Sequence, residues 1–162
     1  MTSRRIVTRL LTAFAMSAAV QPLYSQIPEK NPDKNPLAQI RSLKCTFPVS
    51  ATGSWKVTPQ SPIIKGDEIT FEVDNIDAQE GSARLVTADP TYLTALLTAS
   101  SIHFMERTLQ GSLSITTVFS IEGTPGKLRA VRSRHDYLKV NLPGYVSEPS
   151  VSQYYGECTP GK

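Results

Sequence analysis

From Cys45 onward, apolar and polar residues alternate with a period of two. Residues 68–73 read Glu-Ile-Thr-Phe-Glu-Val, which sets Ile69, Phe71 and Val73 on one face and Glu68, Thr70 and Glu72 on the other. That alternation predicts a half-buried β-strand. Turn chemistry runs from Asp74-Asn75 to Glu80-Gly81, and residues 82–86 follow as a strand with Ala83 and Leu85 inward. The apolar run at 91–97 also suits a helix, but its β-branched and aromatic content, with loop signals on both sides, predicts a strand. Residues 101–108 alternate again, with Ile102 and Phe104 opposite His103 and Met105. Leu109-Gln110-Gly111-Ser112 reads as a hairpin turn. Residues 113–119 give the strongest strand pattern, with Leu113, Ile115, Thr117 and Phe119 on one face. After a turn at 122–126, the apolar parity of 127–135 slips: Leu128 and Ala130 lie on one face and Val131 on the other. A bulge near Ala130 would account for the slip. Proline and glycine mark 142–149 as a loop, and 152–158 reads as the last strand.

About eight short strands with little helix predict an all-β domain. The economical arrangement is an antiparallel meander closed as a small barrel, with a β-sandwich as the alternative. The domain spans residues 43–159, leaving 160–162 as a tail. Ahead of it, residues 27–42 form a proline-rich tether in which helix and ladder hydrogen bonds are denied. Asn35 caps a short helix there, with Pro36 at its first position and Leu37, Ile40 and Leu43 to one side.

Residues 1–26 read as a signal peptide. Arg4, Arg5 and Arg9 precede an apolar run from Leu10 to Val20, and Ser25 offers a small residue for cleavage. Cleavage one residue later, or earlier near Ala18-Ala19, remains open. General secretion is favoured over a twin-arginine route, because Val7 and Thr8 fit the latter poorly. The apolar run is too short to span a bilayer comfortably, and no second one follows. With the leader gone, no integral span is expected.

The leader changes the charge argument. The chain carries 17 basic and 14 acidic residues, and three of the basic ones lie in the leader. What remains is 14 against 14, so a nucleic-acid partner, which demands a basic excess, is disfavoured. The chain has only two cysteines, Cys45 and Cys158, near the two ends of the domain. Export to an oxidising compartment pairs them, and a closed meander makes the first and last strands neighbours within bonding reach. None of Asn31, Asn35, Asn75 and Asn141 forms a glycosylation sequon, which suits a bacterial periplasmic or extracellular protein.

The segments Lys44-Cys-Thr-Phe-Pro48, Phe71-Glu-Val-Asp-Asn-Ile76, Ser133-Arg-His135 and Gln153-Tyr-Tyr-Gly156 resemble those of a family of small secreted bacterial β-proteins of no known activity. The layout is similar to lipocalin-like barrels, whose opening Gly-x-Trp is matched by Gly53-Ser54-Trp55. This resemblance implies the fold and the compartment, and no substrate or cofactor.

Candidate chemistry is sparse. Both thiols are consumed in the bridge, no serine sits in a nucleophile elbow, and no catalytic residue is assigned. His135-Asp136 is an adjacent pair, but strand neighbours face opposite ways, so Asp136 cannot orient His135 locally. His103 and Glu106 face apart for the same reason, and two histidines make a poor metal set, so no metal or cofactor is expected. Lys127, Arg129, Arg132 and Arg134 form the one local charge excess, read either as a solvated strand or as an anion-binding patch centred on Arg134 and Arg132. Trp55, Tyr137, Tyr145, Tyr154 and Tyr155 either cap the core or flank a barrel mouth. Tyr154 and Tyr155 face opposite ways, so one of them at most lines the interior. The ligand-binding candidates are thus Trp55, Arg132, Arg134, His135, Tyr154 and Tyr155.

The leading functional expectation is an exported, non-enzymatic barrel that binds a small apolar ligand or a partner protein. Ala83, Ala130 and Gly156 are the small inward residues a cavity would use. A structural or envelope-interaction protein is the alternative, and it predicts an exposed apolar patch or an unprotected edge strand instead of a pocket. A hydrolytic enzyme using His135 is the third, and it requires His135 in a cleft near a carboxylate.

Overall fold

A computed structural model describes residues 35–54, 62–108, 111–137 and 148–161. The expected leader at 1–26, the start of the tether, Trp55, Leu109-Gln110, Tyr145 and most of the 142–149 loop lie outside the described residues. Among the described residues nine strands form one antiparallel sheet: β1 (Leu43–Ser54), β2 (Ile63–Lys65), β3 (Ile69–Asp77), β4 (Ser82–Leu85), β5 (Thr91–Leu97), β6 (Ser101–Arg107), β7 (Leu113–Glu122), β8 (Leu128–Asp136) and β9 (Ser150–Pro160). Each strand from β3 to β9 pairs with the next, and β9 returns to β1. The result is a closed eight-stranded barrel with β2 as an extra strand. Closure decides between the two architectures left open by the sequence in favour of the barrel.

The seam between β1 and β9 runs from Leu43 opposite Pro160 to Ser54 opposite Ser150. Cys45 lies directly opposite Cys158 and is bonded to it, with Cα atoms 4.0 Å apart and a separation of 113 positions in sequence. A register shift between Thr46 and Val49 inserts one extra residue in β1. Gly156 makes that shift tolerable. A Cβ there would collide with the Thr46 carbonyl oxygen and lie 2.7 Å from the Phe47 Cα, so only a residue without a side chain fits. Of the three small residues expected to leave room for a ligand, Gly156 is filled by the β1 backbone. Ala83 and Ala130 are buried members of the core.

Leu43, Cys45, Phe47, Val73, Ile76, Ala83, Leu85, Leu93, Ala95, Ile102, Phe104, Val118, Ala130 and Cys158 pack the lower barrel. An interior enclosed by eight strands is just wide enough for side chains to fill or for one small ligand. Beneath it, a 3-10 helix at Pro36–Gln39 carries the buried Leu37. Asn35 accepts from the Leu37 amide (3.0 Å) and donates to the Thr98 carbonyl (2.8 Å), fixing this helix to the corner between β5 and β6. Leu43, grouped with that helix by spacing, belongs to β1 instead.

Three local details differ from the sequence reading. The turn expected from Asp74 begins later, because β3 runs on to Asp77. Asn75, at φ 49°, is the extra residue of a bulge against β4. The turn itself is organised by Asp77, whose carboxylate accepts from the amides of Gln79 and Glu80. In β8 there is no parity slip: pairing with β9 is continuous from Leu128 to Asp136, and Val131 simply faces outward. The irregularity beside Ala130 belongs to β7, which has extra residues between Val118 and Glu122.

Closing a loop of 113 positions by a disulfide stabilises a domain by ~4–5 kcal/mol in the chain-entropy account. The Cys45→Ala/Cys158→Ala variant is therefore expected to melt roughly 10–20 °C below the native chain. Calorimetry with and without reductant checks this. A native melting temperature indifferent to reductant would contradict the bridge.

Candidate functional site

Strand register brings two charges into the barrel mouth. On β6 the inward stripe of Ile102 and Phe104 continues, two residues on, to Glu106. On β7 the inward residues are Ser114, Thr116 and Val118. Val118 lies opposite Ile102 on one side and Ala130 on the other, and Thr116 lies opposite Arg132. Arg132 therefore points inward, where its Nη2 meets Glu106 Oε2 at 2.6 Å and its Nη1 donates to Thr116 Oγ1 at 3.1 Å. Its guanidinium carbon sits 4.8 Å from the centroid of the Phe71 ring, and Phe71 stacks on Phe47 at 5.7 Å. The two charged side chains are only 13% and 16% exposed.

Each element of this arrangement has a physical cause. A lone charge at such a depth costs several kcal/mol, so the pair must be nearly complete. Thr116 and the face of Phe71 supply the remaining partners for the guanidinium. The reach from β8 to β3 also means that side chains already cross the lumen at this level.

The sequence-derived candidates scatter around this mouth. Tyr154 lies opposite Arg132 and Ser50 and packs partly buried against the core, whereas Tyr155 faces out and donates its hydroxyl to Gln153. Arg134 sits on the rim, ion-paired to Asp136 at 2.8 Å. Burial pushes the Asp136 carboxyl up, but hydrogen bonds from Ser112 and Arg134 outweigh it and hold the group below the ordinary range. Lys127 and Arg129 are exposed, so the basic cluster is not one patch. His135 is exposed on the outer wall, opposite Leu113 and Val151. His103 faces out too and is held by Ser101 Oγ (3.0 Å) and Thr117 Oγ1 (2.9 Å). Among the described residues no three His, Cys, Asp or Glu side chains are grouped to hold a metal.

Glu106 and Thr116 were not expected in the mouth. Their signal lay in parity: Glu106 continues the Ile102-Phe104 stripe, and Thr116 shares the parity of Val118.

The outer wall divides into two unlike halves. Around β1, β3 and β4 it is charged, with Lys44 paired to Glu72 and Arg84 forking Asp74 at 2.7 and 2.6 Å. The Arg84 guanidinium holds the Asp74 carboxyl below its usual value. Around β5 to β9 exposed apolar side chains are interleaved with polar ones, among them His103, Arg107, Arg129 and His135. Leu113, Ile115, Thr117 and Phe119 share a face as their spacing predicts, and that face is the outer one. Cross-strand pairs extend it: Met105 with Ile115, Thr117 with Val131, Val131 with Tyr155, and Tyr155 with Val49. Two grooves open on it. One, of about 330 Å³, lies among Phe119, Arg129, Val131, Tyr155 and Glu157, and the other, of about 430 Å³, among Tyr92, Thr94, Met105, Arg107 and Leu113.

The fold thus defines a small closed β-barrel with an ion pair inside its wall and a two-sided exterior. No family model matches the chain, and no curated protein matches it.

Removing one partner of a buried pair leaves an unpaired charge and costs ~3–5 kcal/mol. Glu106→Ala is expected to lose about that much by urea denaturation, and Glu106→Leu/Arg132→Met markedly less. Equal losses in both variants would contradict the buried position of the pair.

Proposed function

We propose that this chain is an exported, non-enzymatic β-barrel module that binds a partner protein on the apolar outer wall of β5 to β9. The contrast between the two halves of the exterior carries the reading. Leu96, Met105, Leu113 and Tyr155 are all exposed on one half, and the ion pairs Lys44–Glu72 and Arg84–Asp74 lie on the other. Exposed apolar side chains grouped across neighbouring strands mark an interaction site. Aromatic and methionine side chains are the types that interface cores favour.

The lipocalin-like layout keeps a small apolar ligand as the alternative occupant. Its room would have to be found where Arg132 crosses to Phe71, which favours the wall over the lumen. An enzyme built on His135 has little support, since that ring stands on the open outer surface. A secreted or periplasmic location accords with the leader pattern and with the disulfide. Among the described residues no helix is long and apolar enough to cross a membrane.

Photo-crosslinking in the native host tests the proposal. A photoreactive residue at Ile115 or Tyr155 is expected to trap one discrete protein adduct, and the same group at Lys44 or Arg84 to trap none. Adducts from the charged half alone, or no adduct from the apolar half, would overturn it.

A further inference from the structure

A second surface, on the opposite side of β1 from β9, has a different character. Strands β2 and β3 are two pieces of one line along β1: Ile69 lies opposite Phe47, and Lys65 opposite Ser50. Residues 63, 65, 69 and 71 share a parity, the one that Phe71 directs into the barrel. The far edge of this line is open. Strand β4 is four residues long and reaches only as far as Leu85 opposite Val73, with one more bond from the Val86 amide to the Glu72 carbonyl. Above that point neither β2 nor residues 69–71 have a second strand partner among the described residues. Residues 62–68 are exposed without a break, and Ile63 and Ile64 are 57% and 73% exposed.

We propose that this edge pairs antiparallel with the same edge of a second copy of the chain, about a twofold axis at Gly66. A free row of backbone donors and acceptors is a template for strand addition. Side-chain chemistry then selects the partner and the register. With Gly66 opposite Gly66, Lys65 faces Asp67 of the other copy and Ile63 faces its Ile69, and symmetry makes each opposition twice. A twofold axis normal to the sheet sets one residue opposite its own copy, and centring instead on Lys65 or on Asp67 opposes like charges at the axis. Gly66 has open space where a Cβ would stand, so nothing hinders close approach at the axis. Lys65, Asp67 and Glu68 take part in no ion pair among the described residues, so both charges of the match are available. Pairing here would join two barrels through a continuous sheet and leave the apolar wall of β5 to β9 uncovered.

Sedimentation equilibrium of the full oxidised chain, from low to high micromolar concentration, tests this. The native chain is expected to show a monomer–dimer equilibrium. Lys65→Asp and Asp67→Lys each oppose like charges twice and should weaken the dimer roughly tenfold. Lys65→Asp/Asp67→Lys restores the match with signs exchanged and should recover it. Melting curves matching the native monomer show that each variant is folded. A native chain that stays monomeric throughout, a dimer indifferent to the single reversals, or a double variant no better than the singles would overturn the proposal.

Discussion

Strand β1 must find β9 from the other end of the domain before the sheet has no open seam. That is the most non-local pairing in the barrel, and the loop entropy it costs must be met before any contact rewards it. Three features meet at the seam. The disulfide joins Cys45 to Cys158 at directly opposed positions. Gly156 lets the shifted β1 backbone pass where any side chain would block it. Phe47, just inside the shift, is fully buried and stacks on Phe71. Without closure, β1 and β9 would each present a long free edge, and the core they share would lie open at one side.

Closure with eight strands also settles what the interior can do. The lower half is apolar, and the short helix beside it buries Leu37. In the upper half, Arg132 crosses toward Phe71 and is neutralised by Glu106. Such a pair adds little net stability compared with apolar residues of the same volume, though losing one partner is costly. Its evident consequence is to carry side chains across the barrel at that level. Outside the barrel, the two halves of the wall differ in chemistry.

Much of the fold was legible from alternation alone. Residues 68–73, 82–86 and 101–108 state their strands and faces directly, and the cysteine positions anticipate closure. What alternation cannot say is which face points in. The Leu113-Ile115-Phe119 face is the more apolar side of β7, yet it lies outside, because pairing with Ile102 and Ala130 draws Val118 inward. Strand β2 left no signal because it is exposed on both faces. The mouth was half legible: Arg132 and Tyr154 were among the candidates, but Glu106 was read only beside His103, from which it points away. Parity along β8 misled for a related reason, since an outward valine on an apolar wall mimics a bulge.

The central claim is that the lumen is filled and that the apolar binding surface is outside. Methyl NMR of the oxidised chain under xenon pressure tests it most directly, because xenon seeks apolar voids and grooves. Shifts are expected at Ile115, Met105 and Val131 on the outer wall, with Val73, Ile102 and Val118 unmoved. Saturable shifts at those three interior methyls, with the outer wall silent, would contradict the account.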